Sequence, residues 1–572
     1  MNGKEGGGGK QAGAGAGEGV GAVTGVPAGE TAAESAGEAA GRSTGGDVGG
    51  PVGGRYSKYV LGVLLVVYVF NFIDRQIISI LAEEIKADLG ISDADIGFLY
   101  GTAFAVFYAV FGIPLGKLAD VWTRKSLISI GLGFWSLMTA LSGTARSFAA
   151  LATYRFGVGV GEASASPAAF SMLSDYFSPR VRATVLAIYS SGIYIGAGIG
   201  LFLGGMTVDL WKDAFPDPAL APFGLKGWQA AFLAVGIPGL IVAAWVWTLR
   251  EPVRGQSEGL VAKPEPHPVR ETLRSLMSVL PPLTLFNLLR LGGARALALN
   301  LAVALAIAAI AFGANTLMPS KVQWSALGVG LYAASSWVHA LKLRDPDTFA
   351  MMFRSRTFVF MTAGFPCIAF VTYGIGFWGP PFMLRVHGVE LAEAGIVLGL
   401  GAALGGLLGV TLGGVLADRL RARFRSGRLW VGILAVALSI PTGFLFLLTG
   451  NPWVAYFMSF LSSATSPMWL GGAASTVNDL VMPRMRATAS AFYILMLTFI
   501  GLALGPFMIG QISDVYMASG LDDGSALRNA MMWSYVMFAG ALVLLTLAMR
   551  YLPGDEDRRI ERARREAAAA TP

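Results

Sequence analysis

The sequence is poor in charged residues, cysteine and histidine, and each scarcity excludes a class of protein. Only 14% of the 572 residues are charged and 54% are hydrophobic, whereas soluble domains carry about 25% charged residues. The single cysteine, Cys367, excludes an intrachain disulfide and a cysteine-based metal cluster. The three histidines lie far apart in the chain, so a histidine metal site is not expected. The composition therefore predicts a membrane protein that uses no metal and no other cofactor.

The N-terminal segment, residues 1–54, consists mainly of Gly, Ala, Glu and Ser. It has too few large apolar side chains to offset the entropy of an ordered chain, so we predict a disordered cytoplasmic tail. The net charge of +7 comes from short basic runs between apolar segments. Such runs mark the cytoplasmic loops of membrane proteins, and we therefore expect no nucleic-acid partner.

From residue 58 onward, long apolar stretches alternate with short polar loops, and each stretch is long enough to cross a hydrocarbon core of ~30 Å. Two series of six predicted spans lie at 59–82, 95–119, 126–145, 148–176, 182–208 and 228–249, and at 357–384, 391–419, 429–449, 452–480, 486–514 and 530–551. Two further stretches, 294–317 and 324–341, lie between the series. We predict an all-α integral membrane protein with two six-helix halves, an inserted helix pair and about fourteen spans.

Basic residues concentrate in alternate loops, such as DVWTRK (120–125), SPRVR (178–182) and DRLRARFRSGR (418–428). The positive-inside rule places these loops, and with them both termini, in the cytoplasm. One inserted span would reverse the second series, so an even number of inserted spans is expected. A hairpin lying in the membrane interface would preserve the same orientation and is the alternative. We expect a multi-pass monomer in the bacterial inner membrane.

These observations divide the chain into six predicted segments. They are the disordered tail at 1–54, a first half at 55–250, a cytoplasmic linker at 251–280, an inserted helix pair with its connector at 281–356, a second half at 357–552 and a charged cytoplasmic tail at 553–572.

The two halves carry repeated loop motifs. SDYFSPRVRATVLAIY (174–189) and NDLVMPRMRATASAFY (478–493) share the pattern D-x-x-x-P-R-x-R-A-T, and GKLAD (116–120) corresponds to GGVLAD (413–418). Each pair of motifs joins equivalent spans of the two halves. Two related six-span halves joined by a polar linker are the layout of a secondary transporter.

The loop GKLADVWTRK (116–125) resembles the G-x-L-x-D-R-x-G-R-[RK] motif of the major facilitator superfamily, although Val121 and Thr123 replace its usual Arg and Gly. The resemblance implies the major facilitator fold, with two halves that alternate access to a central cavity. It also implies that residues of the repeated loops form cytoplasmic gates. These residues are Gly116, Asp120, Arg124, Lys125, Asp175 and Arg182 in the first half, and Gly414, Asp418, Arg419, Asp479 and Arg486 in the second.

Within that superfamily, NFIDRQIISIL (71–81), RFGVGVGEASASPAAFSMLSDYF (155–177) and FWGPPFMLRVHG (377–388) are similar to the Spinster-like transporters. The resemblance implies transport of lysolipid-like or sphingoid amphiphiles, commonly coupled to protons. The inserted pair and the long N-terminal tail depart from the common twelve-span pattern.

Four charged residues lie deep within predicted spans of the first half: Asp74, Arg75, Arg155 and Glu162. A charge at the bilayer centre costs at least ~2.5 kcal/mol, so such residues are expected to face a cavity or a partner. The helical rise of 1.5 Å per residue places Asp74 level with Arg155 and lets Arg75 reach toward Glu162. We predict a four-residue network with Glu162 as the proton carrier. The alternative is two static ion pairs that hold the first span to the fourth.

Two glycine-containing segments have structural interpretations. GVGVGE (157–162) resembles a dinucleotide loop, but no strand precedes it, so close helix packing through small residues is the better interpretation. TYGIGFWGPP (372–381) is predicted to break its span near the outer end. There Tyr373 and Trp378 are candidates for an outer gate or a substrate contact, while an interfacial anchor is the alternative role for Trp378.

The leading functional hypothesis is a proton-coupled transporter of an amphiphile or organic anion. An organic-acid carrier or uniporter on the same fold is the first alternative. A membrane sensor or scaffold without transport is another, since the tail and the inserted helices would suit docking. An integral-membrane enzyme is not expected, because the sequence shows no histidine–carboxylate cluster, metal motif or nucleophile with a nearby base.

Overall fold

The computed structural model of the chain describes residues 52–258, 273, 276–320 and 322–570. They belong to one compact unit, Gly49–Pro572. The predicted tail, apart from residues 52–54, and much of the predicted linker lie outside the described residues. The described part of the chain contains helices and no strand, which confirms the predicted all-α fold.

The first half consists of nine helices. They are α1 (Arg55–Ile80), α2 (Ala82–Leu89), α3 (Asp93–Tyr100), α4 (Thr102–Val121), α5 (Arg124–Ser142), α6 (Phe148–Glu162), α7 (Ala165–Tyr176), α8 (Arg182–Ala214) and α9 (Gly227–Trp247). The insertion follows as α10 (Leu283–Leu317), α11 (Gln323–Arg344) and the short connector helix α12 (Pro346–Arg354).

The second half repeats the arrangement of the first. Its helices are α13 (Arg356–His387), α14 (Leu391–Arg423), α15 (Gly427–Leu448), α16 (Pro452–Thr465), α17 (Leu470–Asp479), α18 (Arg486–Met496), α19 (Leu504–Ala518), α20 (Asp523–Ser534) and α21 (Val536–Ala570). A 3₁₀ turn, Ser466–Trp469, joins α16 to α17, and a π-helical turn, Leu497–Ala503, joins α18 to α19.

Ten helices of the described residues are long and apolar enough to cross a membrane. The four remaining predicted spans are the 19-residue α5, the inserted α11, and the two interrupted spans α6–α7 and α16–α17. The fourth span of each half is thus interrupted near its middle. Glu162 is the last residue of α6, directly before the interruption in the first half.

The bundle has two ends, which we name by their loops. The linker face carries the turns at 122–123, 177–181, 248–258, 424–426 and 480–485, and the opposite face carries those at 90–92, 143–147, 215–226, 388–390 and 519–522. The halves approach closely along two seams. A Cβ on Gly97 would lie 2.5 Å from the Pro506 carbonyl oxygen, and one on Gly198 would lie 2.4 Å from that of Gly399. Only glycine permits such close approach of backbones.

The predicted break in α13 is wrong, because the helix runs continuously through Pro380 and Pro381. Proline has no N–H, so the carbonyls of Gly376 and Phe377, four residues earlier, lose their helical donors. Side chains of α1 replace these donors. Gln76 Nε2 lies 3.3 Å from the Gly376 oxygen, and Ser79 Oγ lies 2.6 Å from the Phe377 oxygen. The two prolines therefore create acceptors that join the second half to the first.

The inserted pair extends from the linker face to the opposite face, where Asn315 and Ser320 share a cleft with Ser92 and Gln511. Of the pair, α10 is long and apolar enough to cross a membrane. Asn300 of α10 holds α11 by donating to Ser336 Oγ at 3.0 Å and accepting from Tyr332 Oη at 2.7 Å.

Helix α11 packs on α4 of the first half and on the π turn of the second. A Cβ on Gly330 would lie 2.8 Å from the Phe499 ring and 3.1 Å from Val106. The inserted pair therefore covers one of the two seams between the halves.

We predict that Gly330→Leu lowers the unfolding temperature, because overpacking at this contact costs about 1–3 kcal/mol. The matched control is Gly313→Leu in α10, where an added Cβ meets no atom within 4 Å. Thermal unfolding of both purified variants in one detergent is the measurement. Equal unfolding temperatures for the two variants would contradict the described packing of α11.

Candidate functional site

An ion pair between α1 and α6 lies at the centre of the first half. Arg75 Nε donates to Glu162 Oε2 at 2.6 Å, and the two side chains are 15% and 0% exposed. The pair joins the first span to the fourth at the point where the fourth is interrupted. The closeness of Arg75 and Glu162 agrees with the helix geometry derived from the sequence.

Aromatic rings surround the Arg75 guanidinium. It lies 4.8 Å from the ring centroid of Phe72, 4.4 Å from that of Phe104 and 4.9 Å from that of Tyr108. Cation–π attraction is strongest when the cation is desolvated, as it is here. The rings therefore stabilise the positive charge of Arg75 and shield most of the ion pair from water.

The expected pairing of Asp74 with Arg155 does not occur between their side chains. Arg155 Nη1 donates to the Asp74 backbone oxygen at 3.1 Å, and Nε donates to the Leu99 oxygen at 3.4 Å. The Asp74 carboxylate instead lies near Trp135 and Thr139 of α5. Adjacent residues of a helix point about 100° apart, so Asp74 and Arg75 cannot face the same neighbouring helix.

Several buried polar atoms around this pair lack a partner in strict hydrogen-bond geometry among the described residues. They are both side-chain atoms of the Asn71 amide, both oxygens of Asp74, Arg155 Nη2 and Glu162 Oε1. Asp74 lies near Trp135 and Thr139, and Glu162 lies near Asn71. Buried polar groups without partners are costly, and in native proteins they require an explanation. Their concentration around one ion pair distinguishes this region from an ordinary helix contact.

Glycines of α6 bring the surrounding helices close to Glu162. A Cβ on Gly159 would lie 2.5 Å from the Phe104 oxygen, and one on Gly161 would lie 2.8 Å from the Trp135 side chain. The predicted packing role of GVGVGE is therefore confirmed. These glycines allow α4 and α5 to enclose the ion pair.

A cavity of about 190 Å³ lies beside the charged residues, mostly within the second half. Its apolar wall includes Leu201, Ile375 and Phe446, while α16 and the following turn supply four hydroxyls, from Ser459, Ser462, Ser463 and Ser466. Neither Arg75 nor Glu162 lines it, but Gln76, the neighbour of Arg75, does. The cavity thus presents apolar and hydroxyl groups next to the buried ion pair.

Tyr373 and Trp378 were candidates for substrate contact, yet neither lines this cavity. Trp378 is fully buried and donates from Nε1 to the Pro506 oxygen at 2.8 Å, which also excludes the interfacial anchor. The Tyr373 ring lies 3.4 Å from the Cβ position of Gly501. Trp378 therefore holds α13 against α19, and Tyr373 packs α13 against the π turn.

Arg385 joins the two halves at the opposite face. It donates to both carboxylate oxygens of Asp93 at 2.7 Å and to Glu83 Oε1 at 2.7 and 2.9 Å. The Arg385 side chain is 5% exposed and that of Asp93 is fully buried. Charge-assisted, bidentate pairs of this kind are the strongest hydrogen bonds in proteins. We call Arg385, Asp93 and Glu83 the latch.

Two further carboxylates cap helices across the seams. Asp514 of α19 accepts from the backbone N–H of Asp93 at 3.0 Å and of Ala94 at 2.8 Å, at the start of α3. In the symmetric position, Asp209 of α8 accepts from the N–H of Ala392 at 3.0 Å, at the start of α14. Each half therefore satisfies unpaired donors at a helix N-terminus of the other half.

On the linker face, Arg124 is the centre of the first predicted gate motif. Its buried guanidinium donates to Asp175 and, at 2.7 Å, to Glu251 Oε1. Lys125 adds a bond from its backbone N–H to Glu251 Oε2 at 2.9 Å. Arg182 donates to the Ser174 backbone oxygen at 3.2 Å rather than to Asp175. Glu251 was not predicted, because it lies in the linker far along the chain.

The other two residues of this motif are peripheral. A Cβ on Gly116 would lie 3.9 Å from Pro167, and Asp120 is exposed.

The second gate motif has a different cation. Arg428 donates to Asp479 and lies 3.7 Å from Asp418, whereas the predicted Arg419 and Arg486 are exposed. Gly414 has no atom within 4 Å of its Cβ position. Arg428 follows Asp418 by ten residues, but Arg124 follows Asp120 by four. This difference in spacing concealed the equivalence of Arg428 and Arg124.

Comparison with known proteins agrees with this architecture. The family model of the Major Facilitator Superfamily matches residues 64–506. An MFS-type efflux pump of Mycolicibacterium smegmatis is 27% identical over 453 residues, which cover 79% of this chain and 83% of that protein. Protein spinster homolog 1 of Homo sapiens is 27% identical over 513 residues, which cover 85% of this chain and 79% of that protein.

Among solved structures, a bacterial homologue of the human lysosomal transporter Spinster, in an inward-facing and unoccupied conformation, matches with a TM-score of 0.67. It is 27% identical, and the match covers 88% of this chain and 98% of that one. These relatives are transporters, not enzymes. The matched family model spans most of the chain, so the chain belongs to the major facilitator superfamily of multi-pass membrane transporters and resembles its Spinster-like members.

Proposed function

We propose that this transporter moves an amphiphilic or anionic small molecule by alternating access and that proton binding at Glu162 drives the movement. The observation that carries the proposal is the buried Arg75–Glu162 ion pair, which lies at the interruption of the fourth span among polar atoms without partners. Buried ion pairs contribute little to stability compared with apolar packing. A pair enclosed at this position is better explained by coupling than by stabilisation.

The coupling works through the charge of Glu162. When the carboxylate is ionised, Arg75 holds it and α1 stays against α6. Protonation removes the negative charge, so Arg75 loses its partner while still enclosed by aromatic rings. The described arrangement then becomes less favourable than one in which the two helices separate. Proton binding therefore shifts the population toward the other conformation, in proportion to the difference in proton affinity between the two states.

The cavity supports an amphiphile as the substrate. Its wall combines apolar side chains with serine hydroxyls, and Gln76 places it next to the partly exposed Arg75. A hydrocarbon chain suits the apolar wall, while an anionic head group suits the guanidinium. The Spinster-like sequence motifs favour a lysolipid or sphingoid substrate, and the similarity to an efflux pump supports export.

We also propose that the linker face is cytoplasmic, in a bacterial inner membrane. The start of α1 and the end of α21 both lie at this face, where arginines such as Arg180 and Arg423 are exposed. Positively charged loops are retained in the cytoplasm. The segments predicted from the sequence, with a first half at 55–250 and a second at 357–552, are proposed on the same basis, as is a monomeric state.

We predict that Glu162→Gln abolishes substrate accumulation driven by a pH gradient while leaving counterflow exchange intact. Glutamine keeps the size of the side chain but cannot bind or release a proton. The measurement is flux of lysolipids, sphingoid bases and organic acids in proteoliposomes with an imposed pH gradient. The control, Glu390→Gln, removes a carboxylate on the opposite face outside the network and should transport like the wild type.

Full gradient-driven accumulation by Glu162→Gln would contradict Glu162 as the proton carrier. Flux of organic acids alone would favour the organic-acid carrier, and gradient-independent flux would favour a uniporter. Absence of flux for every class in the wild type would favour a sensor or scaffold.

A second prediction concerns the latch. Arg385→Gln should open the opposite face, because breaking a buried charged pair costs about 2–5 kcal/mol, enough to shift the conformational equilibrium at least tenfold. In a Cys367→Ser background, labelling of Ser79→Cys by a small thiol reagent measures the opening, since Ser79 is buried between the halves.

The control for the latch is Lys212→Gln, which breaks the 2.6 Å pair of Lys212 with Glu84 on the same face but within the first half. In Lys212→Gln, Ser79→Cys should be labelled at the same rate as in the protein that carries only Cys367→Ser and Ser79→Cys. Equal rates for Arg385→Gln and Lys212→Gln would show that the latch does not hold the opposite face closed.

A further inference from the structure

A cleft outside the transport site lies on the linker face, between the connector helix α12 and the end of α21. It encloses about 180 Å³ and is lined by four arginines and one aspartate. We name it the arginine pocket, and its charged lining residues are Arg354, Arg558, Arg559, Arg562 and Asp555. We propose that this pocket binds a phosphate group, and that an anionic phospholipid head group supplies it.

The one carboxylate in the lining is already engaged by other groups. Asp555 Oδ2 accepts from Ser355 Oγ and from the Thr357 backbone N–H, both at 2.8 Å, so it caps the start of α13. Its other oxygen accepts from Arg558. Asp555 therefore has little capacity left to neutralise the remaining arginines.

Those arginines differ in their partners. Arg562 lies 2.9 Å from Asp347 of α12, and this aspartate is more than half exposed. Among the described residues, Arg354 and Arg559 form no ion pair, and Arg559 Nε is buried without a hydrogen-bond partner. Guanidinium groups bind phosphate oxygens bidentately, which satisfies such donors. The pocket thus offers unsatisfied arginine donors. Its volume is larger than the ~30 Å³ that one water molecule occupies in the liquid, so it admits a larger group.

The position of the pocket favours a lipid as the source of the phosphate. Asp345 caps the start of α12, since its carboxylate accepts from the Thr348 N–H at 3.0 Å. Met352 of α12 is buried against the core. Nearby, Arg356 at the start of α13 lies 4.9 Å from the Tyr551 ring. An arginine and a tyrosine together at the end of membrane spans are typical of the head-group level. Basic pockets at this level bind anionic lipid head groups.

The test uses the full-length protein in nanodiscs of phosphatidylcholine, with or without phosphatidylglycerol. We expect phosphatidylglycerol to raise the unfolding temperature of the wild type, because a ligand of the folded state stabilises it. The double variant Arg354→Gln/Arg559→Gln should lose most of that rise. The matched control, Arg564→Gln, removes an exposed arginine of α21 outside the pocket and should keep it.

A second arm identifies the source of the phosphate. Inorganic phosphate is titrated into phosphatidylcholine nanodiscs against sodium chloride of equal ionic strength. One outcome is that phosphate raises the unfolding temperature of the wild type but not of the double variant, while phosphatidylglycerol raises neither. That result supports the pocket and assigns it to free phosphate. The proposal is overturned if neither phosphatidylglycerol nor phosphate raises the unfolding temperature of the wild type. It is also overturned if the rise is equal in the wild type, the double variant and Arg564→Gln.

A third variant keeps the test decisive if the glutamine variant folds poorly. Arg354→Lys/Arg559→Lys retains both charges but lacks the bidentate geometry of arginine. Native mass spectrometry should show at least tenfold weaker retention of phosphatidylglycerol by this variant than by the wild type, since each charged hydrogen bond contributes about a factor of ten. Equal retention by the two proteins would overturn the proposal.

Discussion

The buried ion pair of Arg75 and Glu162 is the interaction on which the proposed mechanism depends. Its carboxylate is enclosed by α4, α5 and α6, and its guanidinium by three aromatic rings. A charge in this environment is tolerated only while its partner is present. In the proposed mechanism, the charge of Glu162 decides whether α1 and α6 stay together. Because α1 also contacts α13 through Gln76 and Ser79, a movement of α1 reaches the second half directly.

Some of the contacts that hold the halves together follow the sequence repeat. Asp209 and Asp514 occupy equivalent positions and cap helices across the two seams, and glycines allow the backbones to meet. The latch around Arg385 has no described counterpart in the other seam, and neither does the inserted helix pair. One seam is therefore covered by α11, while the other, between α8 and α14, is lined by apolar residues such as Ile199 and Leu400.

The sequence predicted the all-α fold, the two halves and the inserted helix pair, because span length and loop charge depend on local composition. It also predicted that Arg75 lies near Glu162, since the helical rise determines how deep each residue lies in the membrane. Helical rise does not fix the direction of a side chain, so the contact of Asp74 with α5 was missed. The latch was missed because Arg385 and Glu83 are 302 residues apart and lie in different halves. The continuity of α13 was not predicted because the donors that replace the proline N–H groups come from α1. The sequence around Pro380 and Pro381 gives no sign of donors from another helix.

The central claim is that protonation of Glu162 changes the relative position of the two halves. It is tested most directly by spin-label distances between Arg180→Cys and Arg423→Cys, exposed positions in opposite halves on the linker face, in a Cys367→Ser background. The ionised pair belongs to the described conformation, in which the halves are joined at the opposite face. Acidification should therefore shorten the distance in the wild type and leave it unchanged in Glu162→Gln. A distance that does not respond to pH in the wild type, or that responds equally in the variant, would contradict the account.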